Sequence, residues 1–325
     1  MKTIYIQISL FFLLISCTTA KKEEICKLSD FPVDTIHMEH HLLGEHMIFP
    51  TGLETFGNHI VFMDDNTSNG IYHFFSNSTF EHVFSDGQKG HAKDEFIYPL
   101  HNFFETTDSS FRILDFNSIR EFKVVNKKLV NIGNFELPVH TINQPVHVAN
   151  DEYIMEGFTD GENEHIKVKD GNISEFGVFP DNFDNDNWIR NRKLTAGIPS
   201  KDFILDFYVY HNRVRMYNSD GTLFKDIIVK DDISRTSLSS DITSLDICFY
   251  RINYNSDYII AVYGLNNNKK EIQLWTWDGE LYKRLHTDDE FSLICLAENN
   301  IIYAIDNECP NVLLSYNIME KSNIK

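Results

Sequence analysis

A hairpin pattern that occurs twice in the second half of the chain constrains the fold more than any other feature of the sequence. Residues 214–227 read VRMYNSDGTLFKDI, and residues 272–285 read IQLWTWDGELYKRL. Each copy alternates apolar and polar residues, reaches an Asp-Gly pair and returns through a second alternating run. This is typical of two antiparallel strands joined by a tight turn. Because Asp-Gly suits a type I′ turn, we expect positive φ at both residues of Asp220-Gly221 and of Asp278-Gly279.

Weaker copies extend the repeat over most of the chain. A clear third copy lies at residues 166–176, and a truncated last copy lies at residues 312–317. The turns are expected near residues 77, 126, 170, 220, 278 and 317, which places them 39 to 58 residues apart. Six units at this period predict an all-β fold, a six-bladed β-propeller with four-stranded antiparallel blades.

A second apolar run precedes each hairpin, and we interpret it as the second strand of the blade. Five of the six runs end in an acidic residue, where the strand meets its loop. The six runs are His59–Asp64, Phe111–Asp115, Tyr153–Glu156, Phe203–Asp206, Tyr258–Val262 and Ile301–Asp306.

The sixth unit lacks an outer strand, because only eight residues follow Asn317. Residues 33–43 have strand character but no blade of their own. An outer edge without a partner would expose unpaired backbone N–H and C=O groups. We therefore predict that residues 33–43 run antiparallel to residues 312–318 and close the last blade.

The N-terminal segment is typical of an export signal. Lys2 is followed by an apolar run from Ile4 to Ile15, which is too short to cross a bilayer and fits the core of a signal peptide. The run ends in Leu14-Ile15-Ser16-Cys17, which resembles the lipobox of bacterial lipoproteins. An ordinary signal cleaved after residues 18–20, Thr-Thr-Ala, is the alternative. We expect a signal peptide at residues 1–16, lipid attachment at Cys17, a tether at residues 17–32 and the propeller at residues 33–325.

The charge of the chain excludes one class of partner. The formal net charge is −19. Loss of residues 1–16 removes Lys2 and brings the charge to −20 (−19 − 1). An acidic body of this kind repels nucleic acid and anionic lipid headgroups. We therefore expect no nucleic-acid partner, and a link to the membrane through the N-terminal lipid.

Several residue groups were considered as metal or redox sites. The spacings of Cys26, Cys248, Cys295 and Cys309 match no zinc pattern, and both disulfides and free thiols remain open for them. His37, His40, His41 and His46 are too widely spaced along a strand for one ion and are interpreted as edge residues. Asp181, Asp184, Asp186, Asp231 and Asp232 are interpreted as solvated loop residues. We expect no metal ion and no cofactor.

The lipobox, the six-fold repeat and one loop together resemble a known family. The loop reads Gly87-Gln-Lys-Gly-His-Ala-Lys-Asp-Glu95-Phe96. It is similar to the Gly-x-Gly-Pro-x-Glu-Phe stretch between the first two blades of TolB-like six-bladed β-propeller lipoproteins of Bacteroidetes. Here the proline is absent and the spacing is longer. The resemblance implies a cell-envelope lipoprotein at the outer membrane, facing the periplasm or the cell surface, and it transfers no catalytic residues.

The propeller topology predicts where a ligand would bind. Loops that join the outer strand of one blade to the inner strand of the next gather at one mouth of the central channel. The longest is at residues 180–194 and contains Trp188, Arg190 and Arg192. An aromatic side chain beside guanidinium groups can stack on a sugar ring or bind a carboxylate, so these residues are the candidate ligand-binding group. The alternative is that Trp188 anchors its own loop.

Two classes of function are consistent with these features. The first is a lipid-anchored, non-enzymatic binding or scaffold protein of the cell envelope, with a carbohydrate or an envelope protein as partner. No catalytic motif is present. The second is a propeller hydrolase, lyase or lactonase that acts on exported carbohydrate. Its carboxylates would be Asp64, Asp115, Asp206 and Asp306, converging on the channel from the strand ends.

Overall fold

The computed structural model describes residues 23–319 except 65, 103, 108, 140, 142–143, 150, 157–162, 181–186, 234–244 and 266–268. The side chains of residues 187 and 188 are also outside the description. Three short strands and one 3-10 turn come first along the chain. They are β1 (Glu23–Lys27), the turn Leu28–Asp30, β2 (Val33–Thr35) and β3 (Glu39–Leu42).

Six sheets follow, and each is built from four consecutive antiparallel strands, apart from the last. The first three blades are β4 (Gly52–Phe56), β5 (His59–Met63), β6 (Tyr72–Ser76) and β7 (His82–Asp86); β8 (Glu105–Thr106), β9 (Phe111–Asp115), β10 (Ser118–Val125) and β11 (Lys128–Glu136); and β12 (Val146–Ala149), β13 (Glu152–Glu156), β14 (His165–Lys169) and β15 (Asn172–Phe176).

The last three blades have the same design, except that the sixth contributes three strands of its own. A short helix, α1 (Asn187–Arg190), precedes the fourth blade. The strands are β16 (Lys193–Ala196), β17 (Phe203–Tyr208), β18 (Arg213–Asn218) and β19 (Leu223–Lys230); β20 (Phe249–Tyr254), β21 (Tyr258–Gly264), β22 (Lys270–Thr276) and β23 (Leu281–His286); and β24 (Phe291–Leu296), β25 (Ile301–Asp306) and β26 (Val312–Asn317).

This arrangement confirms the predicted six-bladed propeller. The strands β5, β9, β13, β17, β21 and β25 coincide with the apolar runs that were interpreted as second strands. These strands are buried on both faces because neighbouring blades stack against them. All five residues of β13 are buried, for example. This double burial explains why the runs read as nearly continuous apolar segments rather than as simple alternation.

The predicted closure of the ring is confirmed at β3. Strand β3 pairs antiparallel with β26, with Leu42 opposite Val312 and Glu39 opposite Ser315. The rest of the N-terminal segment differs from the prediction. Strand β2 pairs in parallel with β23 of the fifth blade, and β1 pairs in parallel with β19 of the fourth blade.

The folded part therefore includes Glu23–Lys27, which were expected to belong to a tether. The physical reason is that the outermost strand of a blade keeps one free row of backbone N–H and C=O groups. An extended segment that passes across the blade can pair with that row. Residues 23–43, here called the N-terminal strap, thus add an outermost strand to three successive blades.

The outer hairpins use two kinds of turn. Asn126 and Lys127 both have positive φ, as do Asp170 and Gly171, so these two turns fit the type I′ pattern. At Asp220-Gly221 and Asp278-Gly279 only the glycine has positive φ, and the predicted type I′ turn is wrong there. In both hairpins the register shifts by one residue near the turn. The extra residue lengthens the connection, and the glycine takes the left-handed position of the bulge.

The cores lie between the blades. One apolar cluster joins the fourth and fifth blades around Phe207 and Trp275, whose rings are 5.7 Å apart and nearly perpendicular. Cys26, Cys248, Cys295 and Cys309 are all free thiols, which answers the question that the sequence left open. Among the described residues, no helix is long and apolar enough to span a bilayer.

Candidate functional site

The aspartates at the strand ends have structural partners instead of converging on the channel. Asp64 is fully buried. Its carboxylate accepts hydrogen bonds from the backbone N–H of Ile48 at 2.6 Å and of Phe49 at 2.7 Å. In the next blade, Asp115 accepts hydrogen bonds from the N–H of Ile97 at 3.1 Å and of Tyr98 at 2.6 Å. Each aspartate therefore fixes the loop that enters its own blade.

The other two aspartates are also occupied. Asp306 accepts hydrogen bonds from the N–H of Glu308 and of Cys309, both at 2.8 Å, and stabilises a turn. Asp206 is fully buried and accepts a hydrogen bond from the Thr195 hydroxyl at 2.7 Å. None of the four aspartates lines the central cavity described below. The prediction that these carboxylates meet in the channel is wrong, because the second strand of each blade lies behind the strand that faces the channel.

A cavity of about 510 Å³ occupies the central channel. It is lined from, or directly after, the innermost strand of every blade, and we call it the channel cavity. Its lining includes Glu54, Thr55, Phe104, Glu105, Thr106, Thr107, Arg112, Gln144, Pro145, His147, Gly197, Ile198, Pro199, Ser200, Tyr254, Asn255, Ser256, Leu296 and Glu298. Many of these residues follow the innermost strands, so the cavity extends toward the face opposite the predicted inter-blade loops.

One wall of the channel cavity carries an ion-pair network. Glu105 Oε1 is 2.5 Å from His147 Nδ1 and 3.4 Å from Arg112 Nη1. The Tyr153 ring stacks on His147 at 4.9 Å, and Tyr153 Oη accepts from Arg112 Nη1 at 3.3 Å. Burial disfavours the Arg112 charge, but Tyr153, Glu105 and Glu121 together raise its pKa. Glu105 is thus held as a carboxylate in a fixed orientation.

Two atoms of this network remain available to a ligand. Glu105 Oε2 and His147 Nε2 are buried and form no hydrogen bond within the described part of the chain. Buried polar atoms without a partner are rare in folded proteins. A bound molecule with a donor and an acceptor would satisfy both.

The opposite wall carries a second carboxyl group in a different state. Glu54 faces the channel cavity, but protein surrounds the rest of its side chain. Burial raises the pKa of Glu54 to about 8, against the opposing effects of an Asn253 hydrogen bond and the Arg251 charge. Asn253 Nδ2 lies 3.1 and 3.0 Å from the two Glu54 oxygens, and its Oδ1 accepts a hydrogen bond from Leu296 N at 2.7 Å. At neutral pH, Glu54 is therefore mostly a neutral acid that is oriented by two neighbouring blades.

Tyr254 connects the two walls. Burial raises the pKa of its hydroxyl well above the ordinary value, and the nearby charges of Glu105 and Glu54 add to this effect. The phenol therefore stays protonated and can donate a hydrogen bond. The channel cavity thus combines a neutral acid, a fixed carboxylate, an imidazole and a phenol.

The predicted ligand-binding group has a different location. Trp188 lies in α1, and its side chain is outside the description. Arg190 is 8% exposed, although it was expected to be at least partly exposed, whereas Arg192 is exposed. None of the three lines the channel cavity. Their role in ligand binding stays a prediction.

The histidine group is dispersed as expected. His41 Nε2 lies 2.8 Å from Ser315 Oγ, and its ring stacks on Phe80 at 3.8 Å. His40 lies 3.1 Å from Asp289, and the exposed His46 stacks on His82 at 4.1 Å. Of the predicted acidic loops, residues 181–186 lie outside the described residues, while Asp231 accepts a hydrogen bond from the Tyr263 hydroxyl at 2.5 Å.

Comparison with known proteins supports the fold. The structure is similar to that of a candidate exported protein from Bacteroides fragilis, with a TM-score of 0.58 and 10% sequence identity over 90% of this chain and 99% of that one. It is also similar to a member of the DUF4221 family from Bacteroides vulgatus, with a TM-score of 0.56 and 9% identity over 87% of this chain and 96% of that one. Both likenesses show the propeller fold alone. No protein-family model and no curated protein sequence matches the chain.

Proposed function

We propose that this protein is an exported, lipid-anchored propeller of the cell envelope that binds a small, hydroxyl-rich molecule in its channel cavity. The observation that carries the proposal is the pair of carboxyl groups, Glu54 and Glu105, held in different protonation states on facing walls of one cavity. The apolar segment before Cys17 supports export, and Cys17 is the proposed site of acylation.

The lining of the channel cavity indicates the class of ligand. Its volume of about 510 Å³ lies within the range of small-molecule sites. The neutral Glu54 and the Tyr254 phenol can donate hydrogen bonds, while Glu105 can accept them. Fixed donors and acceptors without a strong net positive charge suit the hydroxyl groups of a mono- or disaccharide. A polyanion is disfavoured by the net charge of −19.

Calorimetric titration of the mature protein with a panel of neutral mono- and disaccharides tests this proposal. We expect one site per chain for at least one member of the panel, and at least tenfold weaker binding after Tyr254→Phe or Glu105→Gln. The matched control is Glu45→Gln, which removes an exposed carboxylate outside the channel cavity. If sugar binding is unaffected by both channel variants, or if no neutral sugar binds, the proposed ligand class is wrong.

Catalysis on a sugar derivative is the second candidate function. The observation that favours it is the separation of the two carboxyl groups into a neutral acid and a paired carboxylate, a pattern of acid and base groups in glycoside-cleaving sites. Release of nitrophenol from nitrophenyl glycosides would be measured for the wild type and for Glu54→Gln. Turnover that falls at least 100-fold in the variant supports an enzyme, whereas binding without turnover supports a binding protein.

The lipid anchor is tested separately. Mass spectrometry of the mature chain is expected to find Cys17 as an acylated N-terminus, and Cys17→Ser is expected to move the protein from the detergent phase to the aqueous phase. A mature chain that begins at Lys21 would instead support an ordinary secretory signal.

A further inference from the structure

A second polar cluster lies between the third and fourth blades, away from the channel cavity. Glu164 and His165 are at the start of β14, and Asp206 is in β17. All three side chains are buried, with at most 1% of the side chain exposed. One potential ligand atom from each lies within 4.8 Å of the others. The cluster combines an imidazole with two carboxylates, which are common ligands of divalent transition metals.

The contact between His165 and Asp206 has the wrong geometry for a simple ion pair. His165 Nε2 lies 2.8 Å from Asp206 Oδ2, but neither atom forms a hydrogen bond within the described part of the chain. A protonated imidazole at this distance would be expected to direct its N–H at the carboxylate. Two lone-pair atoms that lie close together without a hydrogen between them fit a shared cation.

Burial makes a counter-charge for Asp206 necessary. Its carboxylate is fully enclosed, and its other oxygen is used by Thr195. Among the described residues, no lysine or arginine lies within ion-pair distance of Asp206. A buried carboxylate without a cation is very costly. Either a proton on His165 or a metal ion must supply the positive charge, and the contact geometry favours the metal ion.

Glu164 is positioned by residues around it. Tyr208 donates a hydrogen bond to Oε2 at 2.6 Å, and Tyr217 donates one to Oε1. Lys193 and Arg215 lie 3.5 and 3.4 Å from the carboxylate, longer than a close charged hydrogen bond. These partners orient the carboxylate in the way that outer partners orient metal ligands, and the two long distances leave it able to bind a further cation.

The backbone also packs closely against this cluster. Gly177 has φ +77°, and a Cβ atom at this position would lie 2.8 Å from Glu164 Cγ and 2.9 Å from His165 Nδ1. The His165 ring is held between Phe176, stacked at 4.5 Å, and the edge of Tyr217 at 5.0 Å. The orientation of the imidazole is therefore fixed before any ion binds.

We propose that Glu164, His165 and Asp206 bind one divalent transition-metal ion, with Zn²⁺ as the preferred ion. One nitrogen and two oxygen ligands from the protein leave a fourth position of a tetrahedral site for water. Enclosure between two blades makes the ion a structural link between them. This site is independent of the channel cavity and of the proposed sugar ligand.

The test uses the full mature chain without a histidine tag, stripped with chelator and then dialysed against Zn²⁺. We expect one zinc per chain by elemental mass spectrometry in the wild type, and less than 0.2 per chain in His165→Gln and in Asp206→Asn. Asp226→Asn is the matched control, because Asp226 is a buried carboxylate that contacts Arg215 but belongs to none of the three ligands. It should keep one zinc per chain.

Two further measurements separate zinc binding at this cluster from zinc binding elsewhere on the chain. The stacked pair His46 and His82 is the competing zinc site, so the double variant His46→Gln with His82→Gln should also keep its zinc. For the wild type, zinc at 100-fold excess over its Kd should raise Tm by at least about 5 °C. Zinc that disappears with the His46 and His82 pair, or a wild-type Tm and metal content that are the same in zinc and in chelator, would overturn the proposal.

Discussion

Replacement of Leu43 by alanine tests how the N-terminal strap closes the ring. Leu43 directly follows β3, is 4% exposed and packs in the apolar cluster between the sixth and first blades. Its neighbour Leu42 lies in β3 and is 83% exposed. The same substitution at two adjacent positions has a similar effect on backbone preference, so the difference between the two variants isolates the burial of Leu43.

The expected magnitudes are well separated. Truncation of a buried leucine to alanine costs about 2–5 kcal/mol of unfolding free energy. For a chain of this size, that corresponds to a decrease in Tm of about 5–15 °C. The exposed Leu42→Ala should stay within about 0.5 kcal/mol, or about 1–2 °C. Calorimetric melting of the two variants and the wild type measures both shifts.

Truncated chains check the same conclusion by a second route. A chain that begins at residue 32 keeps the buried Ile36, Met38 and Leu43, and should melt cooperatively. A chain that begins at residue 44 loses all three and exposes the outer edge of β26, so it should show no cooperative transition. Equal Tm values for Leu43→Ala and Leu42→Ala, or a cooperative wild-type melt for the chain beginning at residue 44, would refute the docking of the strap.

Particular contacts give three further predictions. Burial raises the pKa of Glu54 from 4.5 to about 8, so the folded state holds this proton more tightly than the unfolded state, and the contribution of Glu54 to stability should fall as pH rises between these values; Tm measured at pH 5 and pH 8 should show a smaller decrease in Glu54→Gln than in the wild type. Asp64→Ala should cost about 2–4 kcal/mol because it leaves buried loop N–H groups unpaired, whereas Asp306→Ala in its exposed turn should cost about 1 kcal/mol; urea unfolding distinguishes them, and equal costs would contradict the proposed loop-fixing role. Gly177→Ala should lower stability by more than about 1 kcal/mol in the same assay because of its positive φ and its approach to Glu164, while Gly171→Ala, also at positive φ but with no atom near its Cβ, should lower it less.

The sequence determined the number of blades and the closing strand. A β-strand is recognisable locally, because side chains alternate with a period of two and turns need particular residues. Six recurrences of the same unit then define a ring, and the missing outer strand of the sixth unit points to residues 33–43. The antiparallel pairing of Leu42 with Val312 agrees with that inference.

Other features of the fold needed the tertiary structure. The parallel pairing of Glu23–Lys27 with β19 depends on a free edge that is distant in sequence, and the short segment EEICK carries little sign of it. Likewise, the dipeptide Asp-Gly is compatible with more than one hairpin loop. The register of the flanking strands, set by packing between blades, decides that only Gly221 takes positive φ.

The channel cavity and the buried cluster were decided by tertiary structure for the same physical reason. Glu54, Glu105 and His147 belong to the innermost strands of three different blades, and their local sequences resemble ordinary half-polar strands. A polar residue at an alternating position of an inner strand is the only signal that could have indicated them. Their protonation states depend on which groups surround them, and His165 meets Asp206 only because two blades stack. Pairing within a blade follows a periodic local pattern, whereas contacts across the channel and between blades depend on three-dimensional packing that no local pattern encodes.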